Sequence, residues 1–395
     1  MGERNEQRMI FPFYPLWVST KYIRSGKQLI LGGYMQAVLM AGGKGTRLLP
    51  LTVYRPKPMI PFFNRPMVEY ILRSLVEMGV DEVFILVGYL KERIMDYFGD
   101  GSELGIEIHY SNKDNIKLGT AGATRKVVDM IDDTFMVVSS DVLTNLDLKA
   151  LYEYHKKKKA LATIALSQVE DPTQYGIAIV DSKNRITHFK EKPKPEEAFS
   201  NLVNAGIYVF EPEVFDLVPK GQEFDYSKNL FPKMLDENLP LYGFPFKEYW
   251  NDVGRPSSFL QAINDVFLGK LKLPEARVDT LKGNVEYGGA IFTGQRCRIR
   301  RFNVRGFAVI GDNVEIGRNV KIEHSVIFSN TVIEEGAEIK EAIIGENVYI
   351  GKGVLIKEGS VIGDNSVIED FSKIGSNVKI WVESRIGKES IILPD

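Results

Sequence analysis

Hydrophobic positions along the chain follow two different periods. From Met35 to about Gly269, short apolar runs such as MQAVLMA, EVFILVG and FMVVS alternate with amphipathic stretches. Such runs predict buried strands, and their alternation with helical segments predicts an α/β sheet covered by helices. Within PMVEYILRSLVEMG, the residues Val68, Ile71, Leu72, Leu75 and Val76 fall on one helical stripe, with Pro66 placed for a first turn. Past residue 270 the period becomes six: Ile344, Ile350, Ile356, Ile362, Ile368, Ile374, Ile380, Ile386 and Ile392 recur without a break, several of them followed by glycine. Ile310, Ile316, Ile322 and Phe328 extend the series upstream, with five-residue slips near Ile333 and Ile339. Three flat hexads can close one triangular coil with an aliphatic side chain pointing inward from each, so this region predicts a parallel β-helix of roughly four to five coils or slightly more.

The boundaries implied are residues 1–34 as an extension, 35–270 as an α/β domain and 271–395 as the β-helix. The extension contains FPFYPLWV, broken by two prolines and followed by Lys21, Arg24 and Lys27. It is too short and interrupted for a membrane helix or a signal sequence, and is expected to be poorly ordered or foreign to the natural chain.

Composition narrows the functional classes. With 50 basic and 52 acidic residues the formal charge is −2, which gives no general attraction to nucleic acid or to an anionic membrane. Any anion site must be local. Cys297 is the one cysteine and there are four histidines, so neither a disulfide framework nor a cysteine metal cluster is expected, and the usage fits a cytoplasmic protein.

The local anion site is written in GGKGTRLLPLTVYRPKPM, residues 42–59, directly after the first strand. Gly42, Gly43 and Gly45 leave peptide N–H groups open to phosphate oxygens. The spacing is not that of a Walker loop, because Gly45 separates Lys44 from Thr46, and Leu48 stands where a dinucleotide fingerprint has its last glycine. Arg47 and Lys57, the latter clamped by Pro56 and Pro58, add two fixed cations, a set suited to a triphosphate.

Together with LGTAGA at 118–123, FKEKP at 189–193, NAGIYVF at 204–210 and YWNDVGRP at 249–256, this stretch resembles the signature of the sugar-1-phosphate nucleotidylyltransferases. The hexapeptide region is similar to the tail of their mannose-1-phosphate guanylyltransferase and ADP-glucose pyrophosphorylase branches. The resemblance implies a Rossmann-like nucleotidyltransferase domain with a mixed sheet followed by a left-handed parallel β-helix. It also implies attack of a sugar 1-phosphate on the α-phosphate of a nucleoside triphosphate, chemistry that rests on alignment and charge neutralisation. Carried over by position, Arg47, Lys57, Asp141 and Lys192 are the catalytic candidates. Ala41, Gly42, Gly43, Gly45, Thr46, Asp114, Gly119 and Thr120 surround the nucleotide, and Gly176, Glu191, Lys192 and Asn204 hold the sugar phosphate. Asp141 and Asp252 would bind Mg²⁺. No nucleic-acid or membrane partner is implied, and the β-helix is expected to assemble a homo-oligomer, so that a chain cut near Lys272 should stay active in a smaller particle.

Bland readings stand beside these. An aspartate after a strand, such as Asp141, is commonly a helix N-cap; Lys192 sits in a proline-rich loop that solvates charge; and HKKKKA at 155–160 reads as an exposed helix end. Ser140 occupies a place where the family usually has glycine, and could either crowd the nucleotide or add a hydrogen bond. Asp114, five residues before Gly119, is the expected base reader. A carboxylate accepts hydrogen bonds, and guanine offers N1–H and its 2-amino group together, so GTP with mannose 1-phosphate leads and UTP or dTTP with glucose 1-phosphate is the alternative. Two further alternatives are a non-catalytic regulatory homologue and a bifunctional enzyme whose β-helix transfers acetyl groups, for which His324 is the available base.

Overall fold

The computed structural model describes residues 34–112, 118–273, 285–286 and 289–394. The expected extension, up to residue 33, and the expected base reader Asp114 lie outside them. The first strand, β1 (Gln36–Ala41), is followed by a short hairpin of β2 (Pro61–Phe62) and β3 (Arg65–Pro66), helix α1 (Met67–Met78), β4 (Glu82–Val87), α2 (Lys91–Phe98) and β5 (Glu107–Asn112). Next come α3 (Gly119–Val128), β6 (Phe135–Ser139), β7 (Val142–Thr144), α4 (Leu148–Lys158), β8 (Ala162–Gln168), β9 (Gly176–Val180), β10 (Ile186–Glu191) and β11 (Leu202–Phe210). The α/β part ends with α5 (Phe231–Asp236), β12 (Leu241–Pro245), β13 (Trp250–Asp252) and α6 (Pro256–Phe267).

One mixed sheet runs β10-β9-β11-β6-β1-β4-β5, with β8 paired to β11 and β12. β1 pairs in parallel with β4 on one side and β6 on the other, so the chain reverses its winding at β1. In an open α/β sheet that crevice, beyond the carboxyl ends of the strands, is where ligands bind. Side chains of β1 alternate: Ala37, Leu39 and Ala41 face a layer containing Ile71, Leu72 and Leu75 of α1, while Val38 faces a layer containing Val127 of α3 and Phe231 of α5. The α1 stripe is buried as expected at Val68, Ile71, Leu72 and Leu75, with Val76 partly so. Gly79, at φ 102, ends the helix in the left-handed conformation that glycine adopts freely. No described helix is long and apolar enough to cross a membrane.

The expected exposed helix end at 155–160 is found at Lys156, Lys157 and Lys159, where α4 runs out, and needs correction at His155 and Ala160, which are buried. His155 is fully buried, with Nδ1 2.8 Å from Thr163 Oγ1 and Nε2 3.3 Å from Glu211 Oε1, and Lys156 is ion-paired to Glu211 at 3.4 Å.

The C-terminal strands form a parallel β-helix whose rungs stack as Glu315, Val332, Tyr349, Val367 and Arg385, with Ile316, Ile333, Ile350, Ile368 and Ile386 beside them facing the axis. One coil is 17 residues at Asn313–Asn330 and 18 at Asn347–Asn365, and these four asparagines, at φ 56 to 61, turn the corners. The inward position of one ladder falls on Ile310, Ile327, Ile344 and Ile362. Ile327, not Phe328, therefore carries the repeat, and five-residue steps occur between Ile322 and Ile327 and, as expected near Ile339, between Ile339 and Ile344. Phe328 points the other way, into a cluster where Leu48, Leu51, Ile60, Phe62, Phe259 and Ile263 of the α/β part meet Phe307, Val309, Phe328, Ile343 and Val361 of the β-helix.

Candidate functional site

Two strand ends set the site. β1 stops at Ala41, and the chain passes through Gly42 and Gly43 into a left-handed Gly45 (φ 64) before a short 3-10 turn at Thr46–Leu48. A Cβ on Gly45 would lie 2.8 Å from Lys57 Cβ, and one on Gly88, after β4, would lie 2.8 Å from the Gly42 carbonyl. Bare backbone here thus serves close packing of the loop on itself and on β4, while a Cβ at Gly43 would meet nothing within 4 Å, leaving that side open. Thr52 Oγ1 closes the loop by donating to the Gly45 carbonyl at 3.1 Å.

From β6 the chain reaches Ser139, Ser140 and Asp141. The element that follows is β7, a strand, so Asp141 is not a helix cap. Ser140 turns its hydroxyl back to the Met40 carbonyl at 2.7 Å, which answers the question its identity raised: it ties β6 to β1. β13 pairs antiparallel with β7, matching Asp252 to Val142, and Val253 N donates to the Asp141 carbonyl at 3.1 Å. That pairing brings the two aspartates together from positions 111 residues apart.

Between them lies Lys57, 7% exposed, with Nζ 2.5 Å from Asp141 Oδ2 and 3.3 Å from Asp252 Oδ1. Burial alone would raise the Asp141 carboxyl, but the charge and hydrogen bond of Lys57 overcome it and hold the group below its usual range. Asp252 goes the other way, raised by burial and then by the neighbouring Asp141 charge, against the opposing pull of Lys57 and Arg47. Lys57 takes one oxygen from each carboxylate, Asp141 Oδ2 and Asp252 Oδ1, and the second oxygen of each is a hard donor of the kind that suits a divalent cation. Arg47 flanks Asp252: a Cβ on Gly254 would sit 2.8 Å from Arg47 Nη2 and 3.4 Å from Asp252 Oδ2, so the guanidinium and the carboxylate both lie against this glycine. Arg47, Lys57, Asp141 and Asp252 therefore form one constellation.

A second polar group forms around β9–β11. A Cβ on Gly176 would fall 2.7 Å from Glu191 Oε2. Burial raises the Glu191 carboxyl, with Lys192 and a hydrogen bond from Ser227 acting against it. Asn204 Nδ2 reaches Tyr208 Oη at 3.0 Å and Ser227 Oγ at 3.2 Å. Lys192 is in the left-handed region (φ 45), its side chain is 66% exposed, and Nζ stands 3.9 Å from Glu191 Oε1. Its backbone N–H donates to Tyr175 O at 2.9 Å, and Tyr175 packs edge-on against Trp250, two residues from Asp252, at 5.4 Å. Gly119 (φ 65) and Thr120 start α3, where the Thr120 N–H and hydroxyl both donate to Asp225 Oδ1 at 3.1 Å.

Asp225, Ser227, Tyr175 and Tyr208 were not singled out in the sequence; the one available signal was Asp225 before a helical turn, an ordinary cap position. His324, the candidate acetyl-transfer base, packs its ring edge-on against Phe307 at 5.1 Å and over Gly306. It lines a cleft of about 880 Å³ between α6 and the β-helix that also touches Arg47, Arg255 and Lys379.

A nucleotidyl transferase family model matches residues 36–267, and a model of the EIF2B subunit epsilon LbH domain matches residues 276–374. A UTP–glucose-1-phosphate uridylyltransferase of Synechocystis sp. is 38% identical over 306 residues, covering 71% of this chain and 78% of the relative. A mannose-1-phosphate guanylyltransferase of Mycobacterium tuberculosis is 35% identical over 262 residues, covering 66% of this chain and 72% of the relative. The crystal structure of a UDP-glucose pyrophosphorylase with UDP-glucose superposes with a TM-score of 0.53 at 22% identity, over 60% of this chain and 100% of that one, a likeness of fold.

Proposed function

The chain belongs to the nucleotidyl transferase family, among its sugar-1-phosphate nucleotidyltransferases, and we propose that it joins GTP and mannose 1-phosphate to give GDP-mannose and pyrophosphate. The observation that carries the transferase chemistry is the convergence of Arg47, Lys57, Asp141 and Asp252 at the carboxyl ends of β1 and β6. In this reading a sugar-phosphate oxygen forms a bond to the α-phosphorus while the bond to the β-phosphate oxygen breaks, and pyrophosphate leaves. The backbone from Ala41 to Thr46 receives the phosphates, Arg47 neutralises charge that builds on them, and Lys57 holds the triphosphate beside the carboxylates. Asp141 and Asp252 would hold Mg²⁺, which when bound supplies further charge neutralisation to the phosphates. Glu191 and Asn204, beside Gly176, accept and donate to sugar hydroxyls, Lys192 swings onto the sugar phosphate, and Gly119 and Thr120 border the base.

The guanylyl choice rests on Asp114 and on the mycobacterial relative; the Synechocystis relative favours UTP with glucose 1-phosphate as a second reading. A matrix of five nucleoside triphosphates against glucose, mannose, galactose and N-acetylglucosamine 1-phosphates, followed by pyrophosphate release, decides between them. A kcat/KM for UTP or dTTP well above that for GTP overturns the guanine reading, and no release from any pair overturns the transferase. We place the enzyme in the cytoplasm and assign the β-helix to self-assembly, supported by exposed Trp381, Ile391 and Leu393 towards its far end; light scattering that returned the mass of a single chain would refute the assembly.

A further inference from the structure

The β-helix touches the α/β part in many places, but three of its polar contacts fall on one nine-residue stretch of the phosphate loop. Lys379 Nζ donates to the Arg47 carbonyl at 3.4 Å, Tyr54 Oη donates to Glu383 Oε1 at 2.5 Å, and Arg55 enters the β-helix side chain first. Arg55 is 8% exposed and Asp364 3%. The guanidinium grips Asp364 as a fork, Nη2 to Oδ2 at 2.7 Å and Nη1 to Oδ1 at 3.3 Å, and Nη2 also meets Glu346 Oε2 at 3.0 Å. Nη1 further donates to the Leu51 carbonyl at 3.2 Å, within the loop itself, and the guanidinium lies over the Phe328 ring at 5.7 Å. Asp364 is in turn held by the preceding coil, accepting from Glu346 N at 2.8 Å.

We propose that Arg55, clamped by Asp364 and Glu346, is a positioning residue through which the β-helix sets the place of Lys57 in the active site. Arg55 and Lys57 are separated by Pro56 alone, whose fixed φ leaves little freedom between them. A planar fork held by four oxygens has one orientation, so the loop at residue 55 is located by the β-helix and Lys57 Nζ is delivered between Asp141 and Asp252. The inference rests on the reading of residues 42–59 as the phosphate loop.

The test is made on the full-length chain with Arg55→Met, Arg55→Lys and Asp364→Asn, measuring kcat and KM per folded molecule, melting temperature, and amide hydrogen exchange of residues 44–59. Positioning predicts a roughly 10- to 100-fold fall in kcat, in line with the cost of an ångström-scale misplacement, together with faster exchange in the loop. Arg55→Lys, with charge but no fork, should recover only part of the loss. Tyr54→Phe and Lys379→Met remove the exposed contacts and keep the fold, and each should lower kcat a few-fold. Folded variants with wild-type kcat and wild-type loop exchange overturn the proposal, as does a loss wholly accounted for by the unfolded fraction. If no substrate pair turns over even in the parent chain, the functional reading fails by itself, and the exchange result still decides whether Asp364 and Arg55 hold the loop.

Discussion

Lys57 sits between two carboxylates that no other described lysine reaches, and the three charges divide the work of the proposed site. Asp141→Asn and Asp252→Asn keep the size of the side chain but remove an anionic oxygen donor, so each should abolish pyrophosphate release while circular dichroism and melting stay near those of the parent. Near-parental turnover in either variant removes both from the cation site. Arg47→Ala, which deletes one preorganised charge stabiliser, should cost about 10²–10³ in rate. A different kind of charge effect belongs to His155. Burial lowers its pKa from 6.5 to about 4, with the Glu211 carboxylate pulling the other way and losing. The folded state thus binds its proton less readily than the unfolded chain. The stabilisation is complete above about pH 6.5 and is lost as pH falls towards 4, by roughly 3 kcal/mol in full. Urea unfolding at pH 7 and pH 4.5 should show a smaller drop in His155→Gln than in the parent, and equal drops would refute the assignment.

At the scale of the element, the loop after β1 works through backbone shape. Gly45→Ala would have to hold φ 64 and place its Cβ 2.8 Å from Lys57 Cβ. It should cost about 1–2 kcal/mol for the left-handed conformation and about 10²-fold in kcat as Lys57 is pushed aside; a variant with parental kcat would show that the loop tolerates the shift. This loop was legible in the sequence because glycines, prolines and cations at fixed offsets report a local shape. The strands and α1 were legible for a similar reason, their periods being local. Arg55 was not, since the carboxylate that defines it is 309 residues away, and a single arginine beside two prolines has no period to betray its partner. Asp225 was hidden likewise, meeting Thr120 across 105 residues. At Ile327-Phe328 a strict count of six chose the wrong residue. Both side chains are apolar, and what sends Phe328 outward is a 17-residue coil together with Phe259 of α6 waiting at 6.5 Å.

For the whole molecule, the period of six suggested a separable rod, and with it a cut chain that keeps its activity. The packing argues against that expectation. Phe307, Val309, Val326, Phe328, Ile343 and Val361 are each at most 3% exposed, and they lie in one cluster with Leu48, Leu51 and Phe62 of the α/β part. Ending the chain near Lys272 would uncover the α/β half of this cluster and strand Arg55 without Asp364 and Glu346. An apolar face of several large side chains on a monomer is an aggregation surface, and the uncovered side chains include Leu48, which closes the 3-10 turn after Gly45. The truncated chain should therefore be recovered mostly in large particles by light scattering. Its soluble fraction should have a lowered melting temperature and a kcat at least 10-fold below that of the intact chain, by the same misplacement argument that applies to the loop. A soluble, monodisperse fragment with parental kcat would mean that the α/β part holds its phosphate loop unaided, and that the two folds share a surface without sharing the site.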